Sequence, residues 1–270
     1  MKIEFIQKLL EGLRWELSPP GCYSDFLRSQ IDDQSLSVEV AVVNEHRFAF
    51  YYWSRFYCEN IKTTKYTYPI KPILVSLDFH NDVGVDVDCK PEILLDLNIE
   101  NRSELGLFCW SYLNPLNDGH ILPSLYLNYF SDVYILNTTE GEGDDRIYLD
   151  RYGNTHKISF YHDIFVFIDT LTSINTPVYL DIDLDYFTFY QDNNEFIGSS
   201  KLVEDDIIHS TLSLQGKLMS TIFPRLVGLT IALEPQHCGG LNNSMQIFDI
   251  LNQEFFNKTL LTHSSKWNIK

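Results

Sequence analysis

Apolar residues recur along this 270-residue chain at two periods, one of helices and one of strands. At the start, Ile3, Ile6, Leu9, Leu10 and Leu13 fall three and four apart, which predicts an amphipathic helix over residues 3–16. Ser18-Pro19-Pro20-Gly21 ends it. Apolar runs of strand length follow at Leu36–Val43, Pro72–Leu77 and Leu226–Leu233, with shorter strand-like stretches at Val133–Leu136, 146–149 and 157–160. Helical spacing predicts an aromatic helix from Asn44-Glu45-His46 to about Phe56, and further helices over Leu122–Tyr129, 162–173, 203–216 and 242–256. The last would start on Asn242 or Asn243 as its N-cap. Residues 93–97 and 105–112 read as short buried elements. Asn117-Asp118-Gly119-His120 reads as a polar turn, and Thr138–Asp145 and Gln191–Ser199 as solvated loops. Strands alternating with helices predict an α/β fold: a mainly parallel sheet with helices on both faces, in three layers.

One run stands apart. In Val178-Tyr179-Leu180-Asp181-Ile182-Asp183-Leu184-Asp185-Tyr186-Phe187, aspartates alternate with apolar residues. Read as one strand, Val178, Leu180, Ile182 and Leu184 share one face and the three carboxylates share the other. Carboxylates crowded on a buried face repel one another and lose hydration, and a bound divalent cation is the usual compensation. The strand at Pro72–Leu77 runs into a second such set, Asp78-Phe79-His80-Asn81-Asp82. Carboxylate oxygen with imidazole nitrogen suits Mn, Zn, Fe or Ni rather than Ca. In open parallel sheets, ligands sit beyond the carboxyl ends of the strands. His46, Asp78, His80, Asp82, Asp183, Asp185 and Glu234 all fall there.

Composition narrows the choice. A hydrophobic content of 44% and an aromatic content of 14% supply a large core. The length suits one domain over residues 1–270, with the N-terminal helix inside 1–20 and the core over 36–256. A net charge of −17 argues against a nucleic-acid partner, which needs a basic surface. It favours attraction of a cationic ligand, or serves solubility alone. Met1-Lys2-Ile3-Glu4 does not open a signal peptide, and no stretch approaches the roughly 18 apolar residues of a membrane span. Cys22, Cys58, Cys89, Cys109 and Cys238 are scattered with no CxxC pair, so neither a zinc finger nor a disulfide framework is indicated. The expected compartment is the reducing cytoplasm, away from membranes.

Taken in order, these pieces resemble the arginase/deacetylase (ureohydrolase) superfamily over roughly residues 36–245. They look most like the divergent peptide arginases that convert arginine to ornithine in ribosomally made peptides. Val42-Val43-Asn44-Glu45-His46 resembles the segment bearing the family's first histidine ligand. Asp78-Phe79-His80-Asn81-Asp82 matches its DxHxD. His120, with Pro123 three positions on, resembles the proton-shuttle loop. Residues 181–185 match the second metal strand, and Glu234 the late glutamate that holds the guanidinium. The family's Asp-x-Asp is here a triplet, so either Asp181/Asp183 or Asp183/Asp185 is the ligand pair. Spacing to Glu234 favours the latter, with Asp181 a buried hydrogen-bonded support.

The resemblance implies an arginase-like fold and two Mn²⁺ bridged by Asp78 and a strand aspartate. His46 and Asp82 would complete one metal, and His80 and the other strand aspartate the second. A water shared by two cations is acidified into a hydroxide that attacks the guanidinium carbon. Glu234 would orient the guanidinium and His120 would protonate the leaving amine. The implied partner is an arginine-containing precursor peptide, and the products are urea and peptidyl ornithine. Segments that grip the charged ends of free arginine are not recognisable, which fits a peptide substrate. Three alternatives stay open: a small-molecule arginase or agmatinase, an amine deacetylase, and a peptide-binding protein without catalysis.

Overall fold

The computed structural model describes residues 17–28, 37–62, 71–84, 91–138, 145–190, 200–258, 260 and 265–268. Its strands are β1 (Tyr23–Arg28), β2 (Ser37–Val43), β3 (Ile73–Asp78), β4 (Val133–Asn137), β5 (Arg146–Leu149), β6 (Thr155–Tyr161), β7 (Val178–Asp183), β8 (Thr188–Tyr190), β9 (Ser200–Leu202) and β10 (Leu226–Ala232). The α-helices are α1 (Ala49–Lys62), α2 (Pro91–Asp96), α3 (Arg102–Ser111), α4 (Ile121–Tyr126), α5 (Ile164–Thr172), α6 (Asp205–Leu212), α7 (Lys217–Ile222) and α8 (Leu241–Phe255).

Eight strands form one sheet in the order β1-β2-β10-β7-β3-β4-β6-β5. The inner six run parallel, and β1 and β5 close the two edges antiparallel to β2 and β6. Strands β3 and β7 are buried along their whole length, because helices cover both faces of a parallel sheet. That is why their positions other than the aspartates and Ser76 are apolar. On one face Val40, Val42, Val75, Leu180, Ile182 and Ile231 pack with Phe167 and Leu171 of α5, Ile208 of α6 and Ile247 and Leu251 of α8. On the other, Ala41, Val43, Leu74, Ile135 and Tyr179 pack with Phe50, Trp53 and Phe56 of α1 and Leu105 and Phe108 of α3. The result is the three-layer α/β arrangement read from the alternation of strands and helices.

Several elements differ from expectation. The run through Asp185 is not one strand: β7 ends at Asp183, and a 3-10 turn over Leu184–Phe187 follows. The Asp185 N–H donates to the Asp183 side chain at 3.1 Å, which caps that turn. The helix expected over 203–216 stops at Leu212, and α7 begins after Gly216. The last helix is capped by Gly240, not by Asn242 or Asn243; Asn243 instead donates to the Cys238 carbonyl at 2.9 Å. Strand β1 and the β8–β9 hairpin were not anticipated. In β1 the buried positions are Asp25 and Leu27 while Phe26 is exposed, so polarity hides the alternation. The expected helix at 3–16, residues 139–144 of the expected loop at 138–145, and residues 191–199 lie outside the described residues. Among the described residues, no helix is long and apolar enough to cross a membrane.

Candidate metal centre

Four neighbouring strands, β2, β10, β7 and β3, end level with one another. Val43 lies opposite Ala232, Ala232 opposite Asp183, and Leu77 opposite Ile182. Residues just beyond these ends therefore meet in one place. The chain adds β4 and β6 on one side of β3, then returns to lay β7 and β10 on the other. Such a reversal opens a crevice between loops that leave in opposite directions. His46 follows β2, Asp78 ends β3 with His80 and Asp82 behind it, Asp183 and Asp185 close β7, and Glu234 follows β10.

Asp181 faces the α1 side of the sheet, and its neighbours in register are Ser76 and Thr230. Both hydroxyls donate to its carboxylate, Ser76 at 2.9 Å. The Trp53 indole N–H is 3.2 Å from the Thr230 hydroxyl oxygen and holds it in place. Nε2 of His46 lies 2.7 Å from Asp181 Oδ2. With Nε2 engaged there, His46 Nδ1 points at other carboxylates: Asp82 at 2.8 Å, Asp183 at 3.0 Å and Asp78 at 3.4 Å. None gives Nδ1 a properly angled hydrogen bond. The triplet is thereby divided. Asp181 is saturated from behind by hydroxyls and an imidazole, while Asp183 and Asp185 face the open ends of the other ligand-type residues.

The second part of the cluster is built around His80. Its N–H donates to Asp78 Oδ1 at 2.7 Å, and its Nδ1 lies 3.3 Å from Asp185 Oδ2. The Phe79 N–H donates to the other oxygen of Asp185 at 3.1 Å. Asp82 adopts a left-handed backbone, φ 46°, which turns the chain back toward His46. His237 joins this side: its ring meets that of His80 edge-on at 5.7 Å, and His80, Asp185 and His237 bring ligand atoms within 4.8 Å of one another. His237 is not among the ligand candidates that the sequence offers.

Glu234 also has a left-handed backbone, φ 34°. Its Oε1 accepts from the His46 N–H at 2.8 Å and from the Asn117 side-chain amide. Asn117 escaped the sequence reading because it sat in what looked like a solvated turn. The turn from Glu234 to Gly240 presses against the backbone of Ser200, and a side chain at Gly239, φ 79°, would collide with the Ser200 carbonyl. His120 is also in the cluster, but it is fully buried and not a surface turn residue. It lies between Trp53 and His46, with ring centroids at 5.1 and 4.3 Å. Its Nδ1 is 3.0 Å from the Asn117 carbonyl, and its Nε2 has no hydrogen-bond partner among the described residues.

Charge is out of balance here. Asp78, Asp82, Asp181, Asp183, Asp185 and Glu234 are all buried. Burial and the neighbouring Asp82 and Asp185 hold the Asp78 carboxyl well above the usual range. Burial and Asp185 push Asp183 up to about 7. Burial and Asp183 raise Glu234 strongly. Burial disfavours the His46 cation, but Asp181 and Asp183 outweigh it and hold the ring protonated. His80 is likewise disfavoured by burial and raised to about 9 by Asp185. For Asp82 and Asp181, burial is outweighed by His46, and both fall below the ordinary value. His120 is pushed down to about 4 by burial and by the charge on His46. Asp78 Oδ2, Asp185 Oδ2 and His46 Nδ1 are buried without a hydrogen-bond partner among the described residues. An oxygen-rich set with imidazole nitrogens and orphaned lone pairs fits divalent transition-metal ions.

No protein-family model matches the sequence, and no curated protein matches it at significance. The chemistry of the site therefore rests on its own geometry.

Proposed function

We propose that this protein is a metal-dependent hydrolase of arginase type that converts arginine within a peptide to ornithine and releases urea. The observation that carries the reading is the division of the aspartate triplet around His46. Asp181 fixes Nε2, and Nδ1 is left facing Asp78, Asp82 and Asp183. A carboxylate that orients a ligating imidazole from behind is the usual support of a metal-bound histidine. On this reading His46, Asp78, His80, Asp82, Asp183 and Asp185 would hold two Mn²⁺.

Two such cations would supply Lewis acidity and lower the pKa of a water they share, making it nucleophilic near neutral pH. The chain's own residues do the rest. Glu234, positioned through Oε1 by two N–H donors, presents a carboxylate to a guanidinium and orients its carbon. The bond from that carbon to the side-chain nitrogen breaks as the water oxygen is added. Both water protons end on the ornithine amine. His120 is neutral at physiological pH, with Nδ1–H on the Asn117 carbonyl and Nε2 bare. It is suited to take a proton at Nε2 and return it, and the protein seals it from bulk water.

A peptide fits better than free arginine. Arg47, next to His46, is committed to Glu45 at 2.6 Å and to the Leu113 carbonyl at 2.8 Å, so it does not serve a free α-carboxylate. An internal arginine has no such charge to satisfy. The test is to load the protein with Mn²⁺ and incubate it with arginine-containing peptides, free arginine, agmatine and acetyl-lysine peptides. Loss of CH₂N₂ from a peptide, with urea released, is expected. Reaction of free arginine or agmatine alone, or deacetylation, would replace the reading with a sister activity. Binding of peptides without metal or turnover would make it a binding protein.

A further inference from the structure

Beside Glu234 lies an acceptor that the mechanism above leaves unused. Asn117 occupies a left-handed turn position, φ 67°, a conformation asparagine tolerates better than most residues. Its N–H donates to the Asn114 carbonyl at 3.0 Å, and its own carbonyl holds His120 Nδ1. Its side-chain nitrogen donates to Glu234 Oε1. Oε1 also accepts the His46 N–H at 2.8 Å, which marks it as the acceptor in this contact and the facing end of the amide as nitrogen. Asn117 Oδ1 is then the remaining end, and it is buried with no hydrogen-bond partner among the described residues. A buried amide oxygen without a donor is a cost that a bound ligand can remove. Glu234 Oε1 is occupied by two N–H groups, which leaves Oε2 as that residue's acceptor for a ligand.

We infer that Asn117 Oδ1 and Glu234 Oε2 form a two-acceptor subsite for a planar cation with several N–H donors, a guanidinium, and that Asn117 determines specificity for it. The inference rests on the proposed function and assigns the recognition element within it. A guanidinium presents its donors in one plane as a fixed fork, which two neighbouring acceptors can share; an ammonium is a point charge. The second acceptor is neutral, so it adds direction without another negative charge beside Asp183 and Asp185. Because the Asn117 backbone also holds His120, the subsite and that imidazole are set by one turn.

The test uses the full-length protein loaded with Mn²⁺ and peptides bearing one internal arginine, with guanidinium and methylammonium chlorides as competitors. Asn117→Gly keeps the left-handed backbone and removes the amide. It is expected to weaken inhibition by guanidinium about tenfold or more, equivalent to about 1.4 kcal/mol. It should leave bound manganese unchanged and weaken inhibition by methylammonium less than inhibition by guanidinium. Equal guanidinium inhibition in the variant and the parent, with full metal and an unchanged melting temperature, overturns the assignment of Asn117 and leaves the proposed function standing. If the variant does not fold, the parent protein decides alone: guanidinium must outcompete methylammonium by about tenfold, and equal competition overturns the subsite. Failure of the parent to bind any guanidinium compound or to act on arginyl peptides overturns both the proposed function and this inference.

Discussion

Asp181 and Asp183 are two positions apart and chemically identical, yet their surroundings give them opposite roles. Asp181 meets Ser76, Thr230 and His46 Nε2, and Asp183 meets other carboxylates. Asp183→Ala should therefore abolish tight manganese binding, whereas Asp181→Asn should retain both metals and weaken them by about 10–100-fold, as losses behind a ligand do. A manganese titration followed by calorimetry checks this; equal losses in the two variants would contradict the division. His237 follows Glu234 by three residues, a spacing that does not by itself mark a ligand. Only folding brings it to His80. For His120, the expected result is that Asn lowers turnover about 100-fold with metal content intact. Phe, which preserves the packing on Trp53, should do no better; recovery of activity by Phe would assign the histidine to packing alone.

Elements place these residues by where they stop. Asp185 reaches His80 because β7 ends at Asp183 and a 3-10 turn follows; a straight strand would have carried Asp185 past the sheet edge. The turn after β10 depends on Gly239, whose backbone is left-handed and lies against Ser200. Gly239→Ala should cost about 1–2 kcal/mol from the backbone conformation alone, and more from the collision. The melting temperature should fall, and because Glu234 and His237 belong to the same turn, catalytic efficiency should fall with it. An unchanged melting temperature would mean the turn relaxes freely. Strand β1 and the β8–β9 hairpin show where pattern reading stops. Short, half-exposed strands lack the apolar run that identified β3 and β7, because only one side of each residue pair needs burying.

At the scale of the whole molecule, the cluster is a store of unfavourable charge held by the core. Asp78, Asp183 and Glu234 have folded pKa values above their unfolded ones. Each contributes stability that is complete below the unfolded value and is lost as pH rises, for Asp183 through about 7. His80 acts in the same sense and loses its contribution through about 9. Asp82 and Asp181 are depressed, so their contributions are already present at mildly acid pH and disappear only at lower pH. Metal-free protein should thus melt at lower temperature as pH is raised from about 5 to about 8, while Mn²⁺ should stabilise it increasingly over the same range. Thermal melts with chelator and with Mn²⁺ check both trends. Parallel curves would mean that the carboxylates do not bind the cation.

The sequence by itself determined the fold class and the ends of most central strands, because a strand buried on both faces is apolar except where a polar side chain finds a partner. It also determined which residues were candidates, since carboxylates and a histidine clustered at buried strand ends are costly unless their charge is compensated. Tertiary structure decided their partners. Register set Asp181 between Ser76 and Thr230, residues distant in sequence and individually unremarkable. A left-handed turn lowered Asn117 onto Glu234, and α1 covered His120. These contacts depend on strand pairing and on turn direction, which are properties of distances between segments. Residue order along one segment does not encode them.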